Sequence, residues 1–395
     1  MEIILLWLFL RISSIVVAGI ASIIHPMSDL DRLVAIWPPS EPFSLWMKRL
    51  LVSPLFHWDA RFYASITTYG YNGSNSTTAF YPLYPWTAKL LSFLGLDPQV
   101  ALVLVSSLAG LAFIYTFERL ARIDLSKEQA RQAALFVLIL PISMVLFIPY
   151  TEALFFLLAA WSIYFARKQR WWLASMFAVL STLAKQSGIL LALVLAIELW
   201  MSGPFYRQLS LKSLKAWAAV LPIPAAILFW TIIRNHIINP VHFEMAHWQD
   251  WFLSLLISPG TGMTATRAQM LWPWQLLTET VRTVIERPET RIHTLITISG
   301  YLIMVVLFLV TWRYLRPSYR VYSLIILLSS VFFFLVYYGA LPVMSAFRHA
   351  YSAFPIFTAV PLLKTSKWQR VLIISICIVL FLLMMLAYSM EAWVA

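Results

Sequence analysis

Apolar residues in this chain run together instead of alternating with polar ones. Eleven long apolar runs, bounded by charges, prolines or polar clusters, lie near 3–24, 99–118, 131–149, 151–166, 171–185, 187–201, 216–234, 292–312, 321–340, 343–363 and 371–390. About 20 mostly apolar residues are needed for a helix to cross a hydrocarbon layer of ~30 Å, so the pattern predicts about 11 transmembrane helices. The runs at 171–185 and 187–201 are short and meet at Lys185-Gln186, which predicts a pair turning within or just below the interface. Two long segments, 25–98 and 235–291, break the pattern and are rich in aromatic and polar residues.

Composition agrees. Hydrophobic residues make up 61% of the 395 positions and charged residues 12%, against roughly 25% charged in an ordinary soluble domain. A soluble enzyme, a disordered chain and a disulfide-stapled scaffold are excluded, the last because Cys377 is the single cysteine. The formal net charge of +12 would point to nucleic acid in a soluble protein, but here it marks topology. Arg119, Arg122, Lys127 and Arg131 follow the second run; Arg167, Lys168 and Arg170 the fourth; Arg207, Lys212 and Lys215 the sixth; Arg313, Arg316 and Arg320 the eighth; Lys364, Lys367 and Arg370 the tenth. These loops hold 16 of the 29 basic residues. By the positive-inside rule they are cytoplasmic, the N-terminus is inside, the C-terminus outside, and both long segments are extracytoplasmic. The expectation is one all-α, multi-pass membrane domain over 1–395, with a first outer loop at 25–98 and a second at 235–291. The first run lacks a basic leader and an A-x-A site and is read as an uncleaved anchor, with Arg11 snorkelling to the cytoplasmic interface.

The first outer loop carries the candidate chemistry. Ser53 and Pro54 form a helix-start signal and Gly70 a stop, predicting a helix of about four turns. On it Leu55, Asp59, Phe62 and Ile66 share one stripe, while His57 and Arg61 share another face. Asp59 would then lie too deep for capping, on an apolar stripe where a carboxylate is costly unless paired. It is a candidate general base, or else one half of a salt bridge to Arg61 or another cation that holds the loop. Downstream, AFYPLYPW (79–86) has two prolines that break the helix and four aromatics, suited to a headgroup-level belt or to a wall for a sugar or isoprenoid. Neither a P-loop nor a GxGxxG turn is present, and nucleotide-sugars are cytoplasmic, so an enzyme on the outer face would draw on a lipid-linked donor.

Two stretches together, HWDARFYASITTYGY (57–71) and AFYPLYP (79–85), resemble the first-loop signature of the PIG-V family, the GPI-anchor second-mannose transferases and their prokaryotic relatives. YTEALF (150–155) is similar to that family's Y-(S/T)-E-x-L-F element, and Phe243 to Trp251 resembles the second-loop motif of prokaryotic members. Phe347-Arg348-His349 to Pro355 resembles an R-x-x-x-x-x-x-P helix near the end. Lys185-Gln186-Ser187-Gly188 stands where the family tends to have R-S-N-G, a departure that replaces a planar fork by a point charge. The resemblance implies a GT-C-type glycosyltransferase that takes a sugar, typically mannose, from a polyprenyl- or dolichyl-phosphate donor to a glycolipid or glycan acceptor, in the plasma membrane if the host is prokaryotic. Asp59 is then the first-loop catalytic acid.

Such a transfer needs a base, cations for the departing phosphate and a surface for lipid and sugar. Asp59 is assigned as base; Arg348, Lys185 and Arg61 are phosphate candidates. His57, Trp58, Tyr81, Tyr84, Glu152, Gln249 and Trp251 are candidate substrate contacts. His242, Glu244, His247 and Asp250 offer metal ligands, but two histidines five apart fit no standard zinc motif; no metal or cofactor and no nucleic-acid partner is expected. A lipid-linked-sugar flippase or transporter and a non-catalytic envelope-glycosylation subunit remain as alternatives, although no internal repeat favours transport.

Overall fold

A computed structural model describes residues 2–26, 41–71, 77–203, 210–234, 269–270, 273–332, 335–336, 343 and 345–392. The described residues are almost entirely helical. In chain order the helices are α1 (Glu2–Ile24), α2 (Phe43–Leu51), α3 (Asp59–Tyr69), α4 (Leu83–Ser92), α5 (Pro98–Ala121), α6 (Lys127–Ile139), α7 (Glu152–Arg167) and α8 (Trp171–Ala184). They continue with α9 (Leu191–Met201), α10 (Leu211–Ala218), α11 (Pro222–Ile232), α12 (Pro273–Glu286), α13 (Pro288–Thr311), α14 (Pro317–Phe332), α15 (Ala346–Tyr351) and α16 (Lys367–Ser389). One two-residue antiparallel pairing joins Gln269–Met270 to Leu335–Val336.

Among the described residues, five helical stretches are long and apolar enough to cross a membrane: α1, α5, the α10–α11 unit Leu211–Ile232, α13 with its extension to Tyr314, and α16. The short pair at 171–184 and 186–201 is present as expected, parted at Lys185. The expected number of about 11 spans is not confirmed: α7 and α14 have 16 residues each, and two other expected spans are broken. The run at 131–149 is helical only to Ile139, where Pro141 turns it into a 3-10 segment, Pro141–Leu146. The run at 343–363 holds only the six residues of α15, followed by 3-10 turns that begin beside Pro355 and Pro361. Proline lacks the N–H that an interior helical position must donate, so apolar length alone overstates these segments.

The core lies where α5, α7 and the turns after α15 meet. Phe113, Phe156 and Phe354 pack there with ring centroids 5.4–5.6 Å apart, all fully buried. At one end of the bundle, three of the loops predicted to be cytoplasmic converge. Arg167 donates to both oxygens of Asp124 at 2.6 and 2.7 Å, while Arg316 holds both oxygens of buried Glu198 at 2.7 and 3.0 Å, joined by Ser318 at 2.5 Å. Burial alone would raise the Asp124 carboxyl, but the hydrogen bond and charge of Arg167, with Arg316 nearby, hold it below the usual range. Arg11 does not snorkel: it is buried and donates to the Phe147 carbonyl, which closes the 3-10 stretch. An open carbonyl inside the bundle needs such a donor.

Helix α13 passes so close to α15 that a Cβ on Gly300 would overlap the Phe347 ring. This contact seats the helix turn that carries Arg348. Gly300→Ala is expected to cost about 1–3 kcal/mol through overpacking, read as a lowered unfolding midpoint of the detergent-solubilised protein.

Candidate active site

The loop before α3 does not form one long helix. Ser53–Leu55 is a 3-10 turn, and the chain then reverses through His57 and Trp58 before α3 begins at Asp59. Trp58 has φ +52° and ψ −121°, backbone that costs a non-glycine residue about 1–3 kcal/mol. Two expectations change accordingly. Asp59 is the first residue of the helix, where the positive end of the helix dipole favours a carboxylate, and the buried stripe is Ala60, Tyr63, Ile66 and Thr67. Aromatic contacts dock α3 on the next stretch: Phe80 stacks on Phe62 and meets Tyr63 edge-on, both with centroids 5.0 Å apart.

Three further chain segments bring charge to Asp59. Arg348 lies in α15, directly after the left-handed Ser345 at φ +61°. Its Nη2 reaches Asp59 Oδ2 at 2.5 Å and its Nε reaches Glu152 Oε1 at 2.7 Å. Glu152 is the first residue of α7 and Lys185 is the extended residue that ends α8; Lys185 Nζ donates to the same Glu152 oxygen at 2.9 Å. Thr151 fixes this pair by donating to the Ala184 carbonyl at 2.9 Å. The result is a chain of alternating charge, Asp59–Arg348–Glu152–Lys185, with two carboxylates balancing two cations.

Exposure divides the chain. The Glu152 side chain is 0% exposed and Arg348 7%, but Asp59 is 20% and Lys185 14%. Glu152 Oε2 has no hydrogen-bond partner among the described residues. The Tyr150 ring lies 4.5 Å from the Arg348 guanidinium carbon, and Phe155 lies 5.7 Å from Lys185 Nζ, so both cations rest on aromatic faces. Removing one member of such a set leaves an uncompensated buried charge, worth about 3–5 kcal/mol. Close to neutral, walled by aromatics and open at Asp59 and Lys185, the site can take up an anion and a polar acceptor side by side.

The other expected residues divide. Arg61 turns away from Asp59, pairing with Glu391 and donating to the Phe56 carbonyl at 3.2 Å. His57 is buried, with Nδ1 3.3 Å from the same Glu391 oxygen. Trp58 is partly exposed at the strained turn. Tyr81 packs against Trp230 of α11 at 6.4 Å, beside Tyr71 and Trp86. Tyr84 is a core residue instead of a surface for substrate: fully buried, it hydrogen-bonds the Leu102 carbonyl at 3.0 Å and Ser106 at 2.7 Å. The prolines around it begin α4 instead of breaking a helix, since Pro82 is its N-cap and Pro85 sits in the first turn, where no N–H is required. Gln249, Trp251 and the candidate ligands His242, Glu244, His247 and Asp250 lie outside the described residues. Tyr150 was legible inside the Tyr-Thr-Glu element but had no role until its ring met Arg348. Tyr388 and Glu391 gave no signal at all.

Among solved structures, similarity is found to ArnT from Cupriavidus metallidurans in the apo state, with 16% identity and a TM-score of 0.47 over 79% of this chain and 56% of that one. The same protein bound to undecaprenyl phosphate gives 16% and 0.46, covering 93% and 62%. The oligosaccharyltransferase AglB from Archaeoglobus fulgidus, in complex with an inhibitory peptide and a dolichol-phosphate, gives 12% and 0.40, covering 97% and 56%. The chain thus spans less than two thirds of the length of each. No curated protein matches it. The family described as Mannosyltransferase (PIG-V) matches residues 2–235, a stretch that includes Asp59, Glu152 and Lys185. With well over half of its length matched, the chain belongs to the PIG-V mannosyltransferase family.

Proposed function

We propose that this protein transfers a sugar, mannose foremost, from a polyprenyl- or dolichyl-phosphate donor to a hydroxyl of an extracytoplasmic glycolipid or glycan, with Asp59 as general base. The observation that carries the reading is the division of the two carboxylates on Arg348: Glu152 is sealed, while Asp59 keeps an exposed edge. A base must reach the proton it removes. A sealed acid can only hold the cations in place.

In the proposed reaction the acceptor oxygen attacks the anomeric carbon and its proton passes to Asp59. The bond from that carbon to the phosphate oxygen breaks, and polyprenyl or dolichyl phosphate leaves carrying one more negative charge than the phosphodiester had. Arg348 and Lys185 supply the compensating charge, which counts for more in a water-poor site than in bulk solvent. A phosphate beside Arg348 competes with Asp59 for the guanidinium, which frees the Asp59 carboxylate to face the acceptor hydroxyl. A single displacement inverts the anomeric centre, so a β-linked donor yields an α-linked product.

Asp59→Asn removes the base with little change in shape. Turnover of polyprenyl-phosphate-mannose with a lipid acceptor, followed by mass spectrometry of the product, is expected to fall about 10²–10⁴-fold, with donor binding retained; near-normal turnover would sink the assignment. Arg348→Lys keeps the charge but not the fork that spans two acids. Its kcat is expected to drop at least about tenfold in protein that still elutes as a single folded species. Wild-type protein that makes no product from the mannosyl donor but does from another lipid-phosphate sugar would move the donor and leave the site.

A further inference from the structure

The last helix, α16, reaches the candidate site from more than 300 residues away in sequence. Tyr388, one residue before its end, is 1% exposed. Its hydroxyl lies 3.0 Å from the Leu55 carbonyl and 3.1 Å from the His57 carbonyl, and the His57 N–H donates back to it at 3.4 Å. These groups belong to the reversal that ends at the strained Trp58 and starts α3 at Asp59. The one phenol O–H is shared between the two carbonyls while its oxygen accepts the His57 N–H; the His57 carbonyl also receives the Ala60 N–H of α3 at 3.1 Å, so the phenol joins the turn at the point where the helix starts. Its ring meets His57 edge-on at 5.5 Å and Tyr150 edge-on at 6.0 Å, and Tyr150 is the ring beneath Arg348. Three residues further on, Glu391 accepts from Arg61 and faces His57 Nδ1, so a second bond holds the first turn of α3 from outside.

We infer that Tyr388 is a positioning residue that aims Asp59 at the transfer site by pinning the Phe56–Trp58 turn, with Glu391 bracing it through Arg61 and His57. A backbone conformation costing 1–3 kcal/mol persists only where its surroundings over-determine it. Without the phenol, the turn can relax and carry the Asp59 carboxylate off line; displacement of a catalytic group by about 1 Å can cost on the order of 10²-fold in rate. Tyr388 also touches the platform under Arg348, so it registers both members of the Asp59–Arg348 pair against each other. The inference rests on the reading of Asp59 as the base.

The test uses the full chain in nanodiscs. Tyr388→Phe keeps the ring against His57 and Tyr150 and removes only the hydroxyl; Glu391→Gln is the milder second variant, and Cys377→Ser on the same helix is the control. Hydrogen exchange of the segment 55–69 is expected to speed up in the first two variants with α5 and α7 unchanged, and to be unaltered in the control. In the mannosyl-transfer assay, kcat is expected to fall at least tenfold for Tyr388→Phe and a few-fold for Glu391→Gln, with the donor KM within about threefold of wild type. Unchanged exchange over 55–69, or faster exchange there with unchanged kcat, overturns the inference. So does acceleration spread across α5 and α7, which would make Tyr388 a general packing residue. Wild-type protein inactive with every lipid-phosphate sugar refutes the proposed function instead, and the exchange measurement then decides the pinning of the turn by itself.

Discussion

The Arg348 guanidinium is the group on which the arrangement of this protein turns. It joins Asp59 and Glu152 at once, and so ties the first loop to the start of α7 through a short helix near the far end of the chain. Isolated in an apolar interior, any of these charges would cost several kcal/mol. Together with Lys185 they form a balanced set, and each segment is placed by the need to keep its charge company. The packing follows suit: Gly300 lets α13 close over Phe347, Thr151 ties α7 to the end of α8, and Tyr150 supplies the ring beneath the guanidinium.

A second charged set stands at the other end of α7, where Arg167 meets Asp124, and Glu198 meets Arg316 and Ser318. The two differ in how completely they are closed. At the Arg167 end the carboxylates have both oxygens engaged, as suits a structural clasp. At the Arg348 end both cations share one oxygen of Glu152 while the other oxygen has no partner among the described residues, and Asp59 remains partly open.

Much of the helical architecture was legible in the sequence because apolar length is a one-dimensional signal. The long runs that became α1, α5, α13 and α16 needed only counting. What failed was local. Pro141, Pro355 and Pro361 shortened two expected spans, and the positive φ of Trp58, which no residue type announces, moved Asp59 from mid-helix to a helix start. At the site, the types of residue could be short-listed since charge is so scarce, and Asp59, Glu152, Lys185 and Arg348 do come together. Their pairing could not be read, because it depends on which helix ends meet. Arg61, closest to Asp59 in sequence, faces Glu391 instead, and Tyr84, though it sits in an aromatic stretch of the loop, is core.

Helix α7 has one more consequence. It carries Glu152 at its first residue and Arg167 at its last, 16 residues in all, a length of about 23 Å against a hydrocarbon layer of ~30 Å. Were Arg167 set at one polar boundary, Glu152 would stand several ångströms short of the other, deeper still with any tilt, at a level where bulk water is sparse. In the proposed transfer, an activated sugar phosphate held there would meet few competing nucleophiles, so the shortness that strengthens the ion pairs would also spare the donor from hydrolysis.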